Sequence, residues 1–153
     1  MKRSLSMRAG KLLVGLAAVT ALGMAHAAPV TFDVPLDGAH EVPPVQTAGS
    51  GSAKLSFDPD TRVVTWKLSF SGLSGPATMA HFHGPAAVGK NAGVKVPITQ
   101  QGGAQLTSPV SGQATLSADD AKVFEAGEMY VNVHTKDHPD GEIRGQVVPP
   151  KGR

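Results

Sequence analysis

The sequence predicts an all-β protein, a two-sheet antiparallel sandwich with Greek-key connections. Three observations predict it. Short runs alternate apolar with polar residues, clusters of Gly, Pro, Asp and Ser separate them at even spacing, and no helical stretches alternate with the strands as a parallel sheet would require. A small closed barrel is the alternative closure of the same strands.

Taken in order, the alternating runs fall at 30–36, 51–57, 62–70, 78–83, 94–98, 111–116, 128–134 and 142–148. Asp58-Pro59-Asp60, Ser71-Gly72-Leu73-Ser74-Gly75 and Asp137-His138-Pro139-Asp140-Gly141 supply turn chemistry between them. One stretch breaks the alternation. Ser117 can cap a turn or two of helix through Glu125, and Gly127 stops it. Pro43 and Pro44 lack backbone donors, so the segment from Glu41 to Val45 is expected to cross the sheets rather than pair within them. The glycine-rich stretch Gly84 to Gly93 lacks a phosphate-loop ending and reads as a flexible loop.

The first 27 residues are set apart from the fold. Lys2, Arg3, Arg8 and Lys11 precede an apolar run from Leu12 to Met24, and Ala25-His26-Ala27 offers a small-x-small cleavage pattern. The run is shorter than the roughly 20 residues a membrane-spanning helix needs. Export with cleavage after Ala27 is therefore expected, to a periplasmic or secreted destination with no membrane span afterwards. Residues 28–148 then form one domain and 149–153 a loose tail.

The leader carries four of the 14 Lys+Arg and none of the 12 Asp+Glu, which leaves the remainder at −2. With no basic cluster and few aromatic residues, a nucleic-acid partner is excluded. There is no cysteine, so the exported domain must hold by burial, backbone pairing and any metal it binds.

Period-two geometry turns the pattern into a site. On 78–83, Ala80 and Phe82 take the core side, which puts Met79, His81 and His83 together on the opposite face. On 128–134, Val131 and Val133 face the core and Tyr130, Asn132 and His134 do not. Ile143 and Val147 point inward on 142–148, leaving Glu142, Arg144 and Gln146 outward, beside the His134 end if the last two strands form a hairpin. Three imidazoles converging from two strands suit copper, with zinc as the alternative metal. His138, in the following turn, is a candidate fourth ligand or an ordinary turn residue. His40 reads as an exposed turn residue, and Met79 as a thioether ligand for Cu(I) or as packing. Glu41 is placed to orient a histidine.

Five segments carry a resemblance: Gly38-Ala39-His40-Glu41-Val42-Pro43-Pro44-Val45, Phe70-Ser71-Gly72-Leu73, Ala80-His81-Phe82-His83-Gly84-Pro85-Ala86, Tyr130-Val131-Asn132-Val133-His134-Thr135, and His138-Pro139-Asp140-Gly141-Glu142-Ile143-Arg144-Gly145-Gln146. Together and in order they resemble the CHRD domain, named for repeats in an animal signalling antagonist and found in secreted bacterial proteins. A looser likeness is to Cu/Zn superoxide dismutase, also a β-sandwich in which a His-x-His strand and a later histidine hold copper. That likeness implies copper on His81, His83 and His134, and an anion-attracting, catalytic role for Arg144. The departures limit it to a copper-only version: outside the leader there are five histidines, and neither the zinc-loop cluster nor its disulfide has a counterpart.

No nucleophile elbow, catalytic cysteine or phosphate loop is present, so hydrolase and transferase chemistry has no residues to rest on. Two functions stay open. One is an exported single-copper protein, for storage, delivery or resistance or for superoxide-type redox chemistry. The other is a metal-free extracellular adhesion module that binds an extracytoplasmic protein partner.

Overall fold

The computed structural model describes residues 27–99 and 105–151. The leader expected over 1–27 lies outside the described residues except for Ala27, and so do the last two residues of the tail. Eight strands form: β1 Val30–Asp37, β2 Ser50–Asp58, β3 Val63–Ser71, β4 Ala77–His83, β5 Val94–Ile98, β6 Val110–Thr115, β7 Met129–Thr135 and β8 Ile143–Val147. Among the described residues one α-helix, α1, covers Ala118–Glu125. The all-β antiparallel expectation holds. All eight strands are hydrogen-bonded in one sheet of order β5-β4-β7-β8-β1-β2-β3-β6, which curls until its two edge strands touch. The architecture thus lies between sandwich and barrel, and the curl lets one face enclose the core.

Alternation sets that core. Val34, Leu36, Leu55, Val64, Leu68, Phe82, Val131, Val133, Ile143 and Val147 all turn inward and are buried. Trp66 packs on Phe82 with ring centroids 5.5 Å apart. Helix α1 adds Phe124, whose ring lies 4.7 Å from Phe57 and 6.2 Å from Phe32. Its start is the expected one: Ser117 accepts a hydrogen bond from the Asp120 amide at 3.0 Å. Its end is followed by Gly127 at φ 76°, a left-handed position where a side chain would be strained. Ser117→Ala should cost about 1 kcal/mol of stability, read from urea denaturation, because the cap is the acceptor for that amide.

Two expectations need correction. The polar face of β7 and β8 is not open to solvent: every residue of β7 is buried, and Arg144 is only 2% exposed. The glycine-rich stretch is not a free loop either. Gln146 donates to Ala86 O at 2.9 Å, Arg144 donates to Asn91 Oδ1 at 2.8 Å and also to Lys90 O, and Asn91 donates to Val42 O at 2.9 Å. The physical reason is supply and demand for hydrogen bonds. Backbone carbonyls of a glycine-rich arch need donors, and the outward stripe of β8 provides them from Arg144 and Gln146. The arch and the proline segment therefore lie over β7 and β8 and bury the second face there.

Candidate metal centre

The β4–β7 ladder builds the site. It pairs Met79 with His134, His81 with Asn132 and His83 with Tyr130. These residues share one face, so His134 sits diagonally across from His81, and His83 follows two residues along the same strand. Among the described residues, His81, His83 and His134 form the one group of three or more candidate ligands whose donor atoms all lie within 4.8 Å of one another. Ring centroids are 5.3 Å apart for His81–His83, 5.0 Å for His81–His134 and 6.1 Å for His83–His134. Two metal–nitrogen bonds of about 2.0–2.1 Å span roughly 4 Å. Small side-chain rotations therefore suffice to bring the nitrogens onto one ion.

Backbone carbonyls set the tautomers. His83 Nδ1 is 2.9 Å from Ala92 O and His134 Nδ1 is 2.9 Å from Pro139 O. A carbonyl only accepts, so in both rings Nδ1 carries the proton and Nε2 presents a lone pair. His83 Nε2 is buried with no hydrogen-bond partner. His134 Nε2 faces His81 Nδ1 at 3.0 Å. In the metal-free protein His81 donates through that Nδ1. With its proton on the outer Nε2 instead, all three rings would turn a lone pair inward, as a shared cation would need.

The electrostatics keep these lone pairs free. Burial, then the neighbouring His134 and His83, pushes His81 down to about 4. Burial is also the main cause that lowers His83 and His134, outweighing the hydrogen bonds to Ala92, Asn132 and Gly93 that would raise His83 and the one to Pro139 that would raise His134. All three rings are neutral at pH 7, the form that binds a cation.

Tyr130 forms the wall. Its ring stacks on His83 at 4.8 Å with an interplanar angle of 2°, and the Arg144 guanidinium carbon lies 3.4 Å from its centroid. Its hydroxyl donates to Ala92 O at 3.3 Å and accepts from Ala92 N at 3.2 Å. Arg144, expected beside the site, packs on this ring while its N–H groups hold the arch, and its charge adds to the burial that lowers His83. Burial lowers the Arg144 pKa.

His138 does not join the three histidines. Its amide donates to Thr135 Oγ1 at 3.2 Å, and it lines a cleft of about 220 Å³ with Glu41, Val42, Pro43 and Asp140. His40 is exposed and pairs with Asp37 at 2.6 Å. Glu142 lies beside the His134 end of β7 as expected, its amide donating to Val133 O at 2.8 Å, but its carboxylate is engaged by hydroxyl and amide donors and not by His134. Its carboxylate accepts from Thr47 at 2.6 Å, from the Ser74 amide at 2.8 Å, from the Ser74 hydroxyl at 2.7 Å and from Thr135 at 2.6 Å.

Glu41 is buried, and burial raises its pKa to about 7 although Arg144 nearby lowers it. The buried histidines take backbone carbonyls as partners, so Glu41 is not what orients them. Gly141, at φ 129°, leaves it room: a Cβ there would collide with Glu41 Oε1 and Asn132 Nδ2. Asn132, between His83 and Glu41, was not singled out by sequence reasoning. Its place opposite His81 follows from strand register, and its Oδ1 is buried without a partner.

Against known proteins, the CHRD domain family matches residues 32–147. Chordin of Danio rerio is 32% identical over 121 residues, which is 74% of this chain and 12% of chordin. The chain thus spans only a small part of that relative's length. No solved structure matches it.

Proposed function

The chain belongs to the CHRD domain family, and on that premise we propose that it is an exported protein binding one copper ion through His81, His83 and His134. The observation that supports this reading is the pair of carbonyl-fixed imidazoles. Ala92 O and Pro139 O hold the Nδ1 protons of His83 and His134, which leaves a buried, unpartnered Nε2 aimed at the other rings. An orphaned buried nitrogen is costly unless something fills its need, and a cation does so. The leader-like N-terminus supports an extracytoplasmic location. No helix of the described residues is long and apolar enough to cross a membrane.

Holding and delivering the ion is favoured over superoxide chemistry. An arginine that draws an anion to the metal needs a solvent-facing guanidinium, whereas Arg144 is buried and engaged with Asn91 and Lys90. Titration of the leader-free protein with Cu(II) should give one equivalent, with nitrogen coupling in the electron-spin spectrum. Zinc, run in parallel, tests the alternative metal. The absence of micromolar affinity for copper in either oxidation state and for zinc defeats the reading.

A second reading, a metal-free module for an extracytoplasmic protein partner, is favoured by the match to chordin and by exposed Val88 and Val94 on and beside the arch. It requires His81→Ala to weaken partner binding with no metal involved.

A further inference from the structure

Met79 stands apart from the other methionine of the folded strands. Met129 is fully buried and fills the core, whereas Met79 is 47% exposed on the face that carries the three histidines. A methionine that serves packing is expected to be covered. This one lies directly opposite His134 in the β4–β7 ladder and two residues before His81. Directly opposed side chains on one face have Cβ atoms about 4.5–5.5 Å apart. A thioether on three rotatable bonds reaches across that gap. The ladder shifts register between Ala77 and Met79, so Met79 is the first residue of β4 in the register that brings His81 and His83 to β7.

We propose that Met79 supplies a thioether ligand on the open side of the three-histidine centre, and that the site thereby takes Cu(I) as its cargo. The proposal rests on the histidine reading above and adds the oxidation state. Two of the nitrogens come from the covered side, where Ala92 and Pro139 hold the His83 and His134 rings. His81 is half-buried, so the remaining approach to the ion lies toward solvent at that edge, where Met79 stands. Sulfur is a soft donor that favours the cuprous ion, and three neutral imidazoles plus a thioether put no negative charge on a monovalent ion. Cu(II) and Zn(II) gain little from the thioether. An exposed ligand also gives a route for transfer, since it can leave the ion without disturbing the fold.

Met79→Leu keeps volume at an exposed position and should leave the fold intact. Anaerobic titration with Cu(I) against a chromophoric chelator should show affinity about 10-fold or more weaker in this variant, while Cu(II) affinity stays the same. X-ray absorption of the Cu(I) protein should show a sulfur neighbour that the variant lacks. Equal Cu(I) affinity and no sulfur neighbour, with Cu(II) still bound by both proteins, overturns the thioether alone. A wild-type protein that binds copper in neither state overturns the histidine reading and this one with it.

Discussion

His134→Ala should abolish stoichiometric copper binding, with affinity falling by about 100-fold or more in a chelator competition. The size follows from geometry. His134 is the one member of the histidine cluster from β7, and it brings its Nε2 to 3.0 Å from His81 Nδ1. Without it, His81 and His83 lie on one strand with ring centroids 5.3 Å apart, and His81 loses the neighbour that fixes its orientation. Wild-type protein should also gain stability from the ion: at a free concentration 100 times the dissociation constant the gain is about 2.7 kcal/mol. The variant should show no such gain, so a thermal melt with and without copper reads the same loss independently. A copper-dependent shift that survives in His134→Ala would mean the ion is held elsewhere.

Glu142→Gln should destabilise the protein by about 3 kcal/mol at pH 7, with the difference shrinking in acid. Burial alone would raise the pKa of this carboxyl. The hydrogen bonds donated by Ser74, Thr135 and Thr47 overcome that and bring it down to about 2. An unfolded glutamate titrates near 4.5, so between about 4.5 and 2 the unfolded chain binds more protons than the folded one. Stability held above that window is therefore lost as pH falls through it. Glutamine carries no charge to lose, and its unfolding free energy should converge with that of the wild type near pH 2. Urea denaturation at pH 7 and pH 2 measures both ends. A constant gap across that range would show that the carboxylate is not ionised in the folded protein.

Strand β5 was legible to the residue, and β1, β4 and β7 to within a residue or two, because alternation and turn residues are local signals. The parity that put His81, His83 and His134 on one side of the sheet was legible for the same reason. What covers that side was not. Arg144 sits at an outward position of its strand, where a guanidinium ordinarily meets water. Its partners Asn91 and Lys90 come from a segment more than fifty residues earlier. Glycine and proline in that segment mark where the chain bends but carry no signal for the surface it bends onto. Glu142 escaped in the same way, since Thr47 and Ser74 reach it from two distant loops. The tautomers of His83 and His134 were likewise hidden, because the atoms that set them are backbone carbonyls, and any residue supplies those.

One of those carbonyls has two clients. Ala92 O receives both the Nδ1 proton of His83 and the Tyr130 hydroxyl. Lifting the arch that carries Ala92 would release the ring and its aromatic neighbour in the same movement, leaving His83 free to exchange its two nitrogens. Seating of the 84–93 arch and fixing of the imidazole's tautomer are thus a single event.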